Sequence, residues 1–223
     1  QQRRMEVYAA MVDRLDQGIG RVLAVLDALG IADDTVVVFL SDNGGSTEEP
    51  GGRDPTAQPG LVSTYTSVGP AWASAQSTPF RRYKSWVDEG GISTPFIVRW
   101  PGRVAPNAKT AQIGHVIDVA PTLLELARAE SPANLEGRSL APALRGGTVE
   151  PPAELFWQWS RNRAVRRGKW KLVWDSESEP LAWRLYDMEA DRTELRDLAA
   201  QQPELVRSLV ESHSRWLRET GRN

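Results

Sequence analysis

Cysteine is absent from this 223-residue chain, and histidine is scarce, with only two residues. The absence of cysteine excludes disulfides, thiolate zinc sites and a cysteine nucleophile on this chain. No apolar run approaches the ~20 residues that a membrane-spanning helix needs. The chain has 27 basic and 29 acidic side chains, so no global field favours nucleic acid or an acidic membrane. Any binding site must therefore be a local group of residues.

Five consecutive apolar residues at 36–40 predict a strand that is buried on both faces. Asp42 and Asn43 follow its carboxyl end, which is where open α/β sheets bind ligands. A carboxylate beside an amide carbonyl suits a hard cation such as Ca²⁺ or Mg²⁺. An ordinary turn built on Asp-Asn-Gly is the alternative interpretation.

Hydrophobic periodicity predicts the remaining elements. Apolar residues three and four apart predict a helix over residues 5–29. Residues 44–78 lack periodicity and predict a long loop. Alternation near the C-terminus predicts a small antiparallel sheet. The further predicted elements are strands at 96–100, 113–117, 155–159, 164–166, 169–174 and 183–186, a helix that begins at Asp118, and a last helix over 203–219, on which His213 is expected to be solvated.

A Pro- and Gly-rich stretch at 130–153 predicts a linker, and it divides the chain into domains at 1–145 and 146–223. The first residues, Gln1-Gln2-Arg3-Arg4, include neither a starting methionine nor the apolar segment of a signal peptide. The predicted helix and strand also lack the preceding strand of a βαβ unit. We therefore expect a cut from a longer protein, whose compartment stays open between periplasmic or secreted and cytoplasmic in a bacterium.

Several short motifs occur in a characteristic order along the chain. They are Ile19-Gly20-Arg21, Ser41-Asp42-Asn43-Gly44, Thr78-Pro79-Phe80-Arg81, Glu89-Gly90-Gly91-Ile92, His115-Val116-Ile117-Asp118, Pro121-Thr122-Leu123-Leu124 and Leu185-Tyr186-Asp187. Each motif alone is weak, but their order and spacing together are specific. Over essentially the whole chain they resemble the type I sulfatases, particularly the bacterial arylsulfatases.

This resemblance implies a fold and a function. The implied fold is α/β, the C-terminal part of an alkaline-phosphatase-like α/β sandwich, followed by a small α+β subdomain of antiparallel sheet plus helix. The implied activity is hydrolysis of a sulfate ester, either a small molecule or a sulfated glycan. Two earlier aspartates and the formylglycine nucleophile are expected on an N-terminal part that this chain lacks and needs, so the chain alone is expected to be inactive.

The resemblance also assigns roles to individual residues. Asp42 and Asn43 match the later pair of Ca²⁺ or Mg²⁺ ligands, and Lys84 matches the lysine that contacts the sulfate group. Lys84 lies five residues before Glu89 and would place fixed positive charge where negative charge develops. A surface lysine in a basic run is the alternative. His115 could bond the substrate or act as an acid, or it could be a structural histidine at a strand end.

One literal motif match is rejected. Ser77-Thr78-Pro79-Phe80-Arg81 fits the Cys/Ser-x-Pro-x-Arg pattern whose first residue becomes formylglycine in this family. That motif precedes the Asp-Asn pair in the family, whereas Ser77 follows Asp42 here. Two further functions stay open: a phosphonate monoester or phosphodiester hydrolase of the same superfamily, and a non-catalytic sulfatase-like fragment.

Overall fold

The structure is a computed structural model that describes residues 1–49, 54 and 56–221. The chain divides into two compact units. Unit 1 comprises Gln1–Asp13, Asn43–Thr94 and Ala153–Asn223, and unit 2 comprises Arg14–Asp42 and Pro95–Pro152. The predicted domains at 1–145 and 146–223 stay a prediction. No helix in the described part of the chain is long and apolar enough to cross a membrane.

The first helix, α1 (Gln2–Ala28), confirms the helix predicted from periodicity. It ends where Gly30 adopts a positive φ of 68°, a conformation that glycine accepts without strain. None of its residues is buried. Met11, Leu15 and Val22 are each more than half exposed, so part of the apolar stripe of this helix is exposed.

Unit 2 contains the predicted strand, β1 (Val37–Leu40), which pairs antiparallel with β2 (Phe96–Arg99). Both predicted strands are confirmed, but β1 is half-buried rather than buried on both faces. Among the described residues, β2 is the strand that pairs with β1.

The prediction of a strand at 113–117 is wrong, because Val116–Asp118 form a 3₁₀ turn. Helix α4 (Val119–Leu126) follows this turn, as predicted, and α5 (Ala141–Leu144) lies in the stretch that was expected to be a linker. The side chains of His115 and Asp118 bond to the backbone of the turn, which gives the chain an alternative to strand pairing.

Unit 1 contains the predicted antiparallel sheet, a meander of four neighbouring strands. Its strands are β3 (Leu155–Trp159), β4 (Asn162–Arg167), β5 (Trp170–Trp174) and β6 (Trp183–Asp187), and its helices are α2 (Pro70–Gln76), α3 (Glu89–Ile92) and α6 (Pro203–Glu219). The predicted sheet and last helix are confirmed. In the loop predicted at 44–78, residues 50–53 and 55 lie outside the described residues, and the described part includes α2.

The two faces of this sheet carry separate apolar clusters. Leu172 and Leu209 belong to the cluster between the sheet and α6. On the opposite face, Val173 and Tyr186 pack with Val87 from the segment 81–91. The sheet therefore holds the terminal helix on one side and the segment that bears Lys84 on the other.

The expectation that His213 is solvated is wrong. Its side chain belongs to α6 but is only 1% exposed. The ring lies 5.5 Å from Trp216, 5.8 Å from Trp183 and 6.3 Å from Phe156, measured between centroids. The histidine is part of an aromatic cluster, because it falls on the apolar side of the helix.

Candidate functional site

The loop after β1 carries the two predicted metal ligands. Asp42 is exposed and Asn43 is half-buried. The boundary between the two units falls between these residues, so Asp42 ends a segment of unit 2 and Asn43 begins one of unit 1. Their oxygens are chemically suited to a hard cation.

Within unit 1, backbone hydrogen bonds join the loop after Asn43 to the segment that bears Lys84. The Gly44 N–H donates to the Gly91 carbonyl at 3.1 Å, and the Lys84 N–H donates to the Gly45 carbonyl at 3.0 Å. A Cβ on Gly44 would lie 1.8 Å from the Gly90 carbonyl oxygen. The approach is so close that only glycine fits at position 44. The second hydrogen bond attaches the Lys84 backbone to Gly45, which lies two residues after Asn43.

The Lys84 ammonium group is paired with a carboxylate. Its Nζ lies 2.6 Å from Glu48 Oε2, and the two side chains are 29% and 45% exposed. Partly exposed ion pairs of this kind contribute only about 0–1 kcal/mol. An anion that arrives at Lys84 can therefore compete with Glu48 for the ammonium group.

The neighbouring arginines are not a solvated basic run. Arg82 Nη2 lies 2.6 Å from Asp175 Oδ2, and Arg81 Nε lies 3.6 Å from Asp88 Oδ1. Both aspartates are almost fully buried. Burial raises the pKa of Asp88, although the charges of Lys171 and Arg81 oppose this shift. These ion pairs anchor the segment that leads into Lys84.

Behind Glu89 lies a buried lysine that the sequence did not point to. Lys171 Nζ on β5 is 3.0 Å from Glu89 Oε1 and 2.8 Å from Glu194 Oε1. The Glu89 N–H donates to Glu194 Oε2 at 2.7 Å, and Arg192 Nη2 lies 3.0 Å from Glu89 Oε2. The only sign of this buried lysine in the sequence was its position, a charged residue inside the otherwise apolar strand Trp170–Trp174.

The pKa values in this cluster follow from its burial and charges. Burial disfavours the charged form of Lys171, but Glu194 and Glu89 outweigh it and raise the pKa of Lys171. Burial also opposes ionisation of Glu89, but Lys171 and Arg192 lower the pKa of Glu89 below its usual value. Burial raises the pKa of Glu194 to about 7, against the charge of Lys171.

His115 has a structural role in unit 2. Its ring Nδ1 accepts a hydrogen bond from the backbone N–H of Ile117 at 3.3 Å. The backbone N–H of His115 donates to Asp118 Oδ2 at 2.9 Å. An Nδ1 acceptor requires the neutral ring, and burial lowers the pKa of His115 while the charge of Asp118 opposes this. The histidine caps the turn before α4, and its catalytic role stays a prediction.

The rejected motif residue Ser77 has a structural role as well. Its hydroxyl donates to the Ala73 carbonyl at 3.1 Å and accepts from the Gly45 N–H at 3.3 Å. The side chain thus joins the end of α2 to the loop that follows Asn43.

A complete metal site would need more than the two predicted ligands. Among the described residues, no group of three or more His, Cys, Asp or Glu side chains could hold a metal ion. Asp42 and Asn43 supply the right donor chemistry but fall short of the about 6–8 oxygens that Ca²⁺ takes. The two residues fit such an ion only as part of a larger ligand set.

The family of the chain is established by comparison with known proteins. The sulfatase family model matches residues 1–129, and the model for the C-terminal region of N-sulphoglucosamine sulphohydrolase matches residues 82–219. The chain belongs to the sulfatase family, as its motifs indicated.

Two curated relatives illustrate the similarity. An uncharacterized sulfatase of Schizosaccharomyces pombe is 34% identical, over 98% of this chain and 44% of the relative. Mouse steryl-sulfatase is 35% identical, over 75% of this chain and 25% of the relative. The chain therefore spans less than half the length of these relatives.

Solved structures share the fold. The structure of Ps i-CgsB matches with a TM-score of 0.73 at 24% identity, over 94% of this chain and 42% of that one. A protein solved with its substrate D-glucosamine-2-N,6-O-disulfate matches with a TM-score of 0.65 at 21% identity, over 97% of this chain and 40% of that one. These likenesses confirm the predicted alkaline-phosphatase-like α/β fold, with antiparallel sheets in the part described here.

Proposed function

We propose that this chain is part of a sulfuric ester hydrolase of the arylsulfatase type. The enzyme would convert a sulfate ester and water into an alcohol or phenol and sulfate. The observation that carries the proposal is the pair of backbone hydrogen bonds at Gly44 and Gly45, which holds Lys84 against the loop after Asn43 in a chain of the sulfatase family.

In this proposal Lys84 binds the sulfate group of the substrate. Its ammonium charge would stabilise the negative charge that builds on the sulfate oxygens as the ester bond breaks. The partner Glu48 would release the lysine when the sulfate arrives, since their pair is exposed to solvent. A role of His115 in the reaction, either bonding the substrate or acting as an acid, stays a prediction.

Asp42 and Asn43 would hold a Ca²⁺ or Mg²⁺ ion together with ligands from outside this chain. When bound, such an ion would polarise the sulfate oxygens and orient the ester. The formylglycine nucleophile would likewise come from another part of the protein, so we expect no turnover from this chain by itself.

The uncovered face of α1 supports a requirement for that further part. The helix has 27 residues and buries none of them. Met11 is 65% exposed and Leu15 is 54% exposed, and a monomeric protein seldom exposes a contiguous apolar surface of this kind. We infer that the rest of the sulfatase domain covers this helix in the intact enzyme.

The alcohol part of the substrate is proposed only as a class. One relative is a steryl-sulfatase and one structural neighbour has a disulfated glucosamine as its substrate. A sulfate ester of a small molecule or a sulfated glycan is consistent with both, since the proposed contacts concern the sulfate group alone.

The test is a substitution of Lys84 in the full-length protein that contains this chain. With Ca²⁺ present and nitrophenyl sulfate as substrate, we expect Lys84→Ala to lower kcat/KM by about 100-fold or more. Lys169→Ala is the matched control, because Lys169 also lies in unit 1 but pairs with Asp187 at 2.7 Å. Equal activity of the two variants would refute the proposed role of Lys84.

The same assay separates the alternative functions. Faster hydrolysis of a nitrophenyl phosphonate or phosphodiester than of the sulfate would identify a phosphonate monoester or phosphodiester hydrolase. Absence of all three activities, with no effect of Ca²⁺ on stability, would identify a non-catalytic fragment. Turnover by the isolated 223-residue chain would refute the requirement for a further part.

A further inference from the structure

The buried cluster of Lys171, Glu89 and Glu194 connects the C-terminal sheet to the proposed site. Lys171 is fully buried, and both glutamates are at most 4% exposed. A charge in such a place is tolerated only when it is paired and hydrogen-bonded. The two carboxylates supply that pairing from different parts of the chain, Glu89 from α3 and Glu194 from the segment before α6.

A continuous series of contacts leads from this cluster to the loop after Asn43. Glu89 is the first residue of α3, and this short helix also contains Gly91. The Gly91 carbonyl accepts the hydrogen bond from the Gly44 N–H. The ion pair on β5 thus holds α3, and α3 holds the residue that follows Asn43.

A second connection reaches Lys84 from the same sheet. Asn162, the first residue of β4, donates from Nδ2 to the Ser85 carbonyl at 3.1 Å. Ser85 follows Lys84 directly and has a positive φ of 78°. This conformation is costly for serine, and the bond from Asn162 helps to hold it. Val87 packs on the sheet two residues further on.

We propose that Lys171, together with Glu194, is a positioning residue for the sulfatase site. The pair transmits the geometry of the four-stranded sheet through Glu89 and α3 to the Asn43–Gly45 loop and to Lys84. This inference rests on the proposed function, which names the ligands that the loop binds. It adds that the C-terminal sheet determines the positions of the residues proposed to hold the cation and the sulfate.

A purely stabilising role would be a different outcome. Buried ion pairs are weak contributors to stability, and apolar or neutral replacements of similar shape often fold as well. A variant that removes the charges of both Lys171 and Glu194 should therefore fold. In this variant the Asn43–Gly45 loop should no longer be connected to the sheet through Glu89 and α3. In the double variant Lys171→Met/Glu194→Gln, Glu89 keeps its contact with Arg192, which prevents an unpaired carboxylate.

The control is a second ion pair at the same sheet. Lys169 and Asp187 lie 2.7 Å apart, and the contacts of Asp187 with the backbone of Glu189 and Ala190 would survive in Asn. The double variant Lys169→Met/Asp187→Asn therefore removes the same two charges from unit 1. It does not touch Glu89, α3 or the Asn43–Gly45 loop.

The experiment measures two properties of the full-length protein well below its unfolding temperature. Hydrogen–deuterium exchange reports on the Gly44 and Lys84 amides, and calorimetric titration with Ca²⁺ alone gives the dissociation constant. For Lys171→Met/Glu194→Gln we expect faster exchange of both amides and a calcium dissociation constant raised by about tenfold, as for other residues that orient metal ligands. For the control variant we expect neither change.

The outcomes separate this inference from the proposed function. A folded Lys171→Met/Glu194→Gln variant with unchanged amide exchange and unchanged calcium affinity would overturn the positioning role. If that variant does not fold, the milder Lys171→Gln, which removes the charge that both glutamates contact, decides by the same two measurements. If Asp42→Ala leaves calcium affinity unchanged, the proposed metal site fails, and amide exchange alone still decides the inference.

Discussion

The four-stranded sheet with α6 and the first helix differ in how they use their apolar residues. In the sheet, Leu172 and Leu185 are completely buried, and Leu209 of α6 is buried against them. In α1, no residue is buried over 27 positions. Both segments have the amphipathic pattern of a packed element, but within the described part of this chain only the sheet buries its apolar residues fully.

The comparison shows that an amphipathic pattern in a sequence predicts that an element packs against another one. The pattern does not show which part of the protein supplies the packing surface. The sheet and α6 close their own core, so this region contributes cooperative stability by itself. The apolar residues of α1 contribute little until something covers them. Two predictions test this difference, and a third concerns the contact between Glu48 and Lys84; they follow in order of decreasing effect.

The largest effect is expected from truncating a leucine in each region of the isolated chain. Leu172→Ala removes a fully buried side chain and should lower the free energy of unfolding by about 2–5 kcal/mol. Leu15→Ala is the matched substitution in α1, where the side chain is 54% exposed, and should change it by no more than about 0.5 kcal/mol. Urea denaturation followed by tryptophan fluorescence measures both values. Comparable losses from the two variants would refute the comparison.

The second effect is the pH dependence of stability that His213 should contribute in the sheet region. Burial lowers the pKa of His213, the charge of Arg163 adds to this shift, and the backbone contact with Trp157 opposes it. The folded-state pKa therefore lies below the unfolded value of about 6.5. The folded state disfavours the proton, so its stability is highest above the unfolded pKa and falls as the pH drops below it.

Substitution of His213 isolates this contribution. In His213→Gln we expect the stability of the isolated chain to depend less steeply on pH between about 6.5 and 5, because the titrating ring is gone. The measurement is the free energy of unfolding at several pH values in that range. The unaltered chain provides the reference, and an equal slope in both proteins would show that His213 does not titrate on unfolding.

The smallest effect is expected at an exposed contact outside both regions. The carboxylate of Glu48 pairs with the ammonium group of Lys84 and would compete with sulfate for it. Glu48→Gln should therefore strengthen the inhibition of the full-length enzyme by inorganic sulfate. An exposed ion pair of this strength corresponds to a factor of about 2 to 5 in the inhibition constant. Glu49→Gln serves as control, because Glu49 pairs with Arg4 instead. Identical inhibition constants for the two variants would contradict competition between Glu48 and sulfate.

The sequence predicted those parts of the fold that are determined by local pattern. The bounds of α6 at Pro203–Glu219 and of β3 at Leu155–Trp159 were predicted to the residue, since alternation and helical spacing are visible within a few residues. The strand predicted at 113–117 failed because side-chain bonds from His115 and Asp118 decide the backbone there. Single polar residues can override an apolar run.

The site was predicted in the same partial way. The motifs pointed to Asp42, Asn43 and Lys84, and the hydrogen bonds of Gly44 and Gly45 are consistent with a shared location for the last two. The pairing of Lys171 with Glu89 could not be predicted, because the two residues are 82 positions apart. Only the fold brings such residues together, and neither has a local pattern that reveals its partner.

The tight approach of Gly44 to the Gly90 carbonyl has one more consequence. Because even a Cβ on Gly44 would clash with that oxygen, the Asn43 loop and the Lys84 segment cannot move closer together, and the hydrogen bonds of Gly44 and Lys84 oppose their separation. The proposed cation and the proposed anion would then bind at a fixed separation, and the attraction between their opposite charges would make each bind more tightly when the other is present.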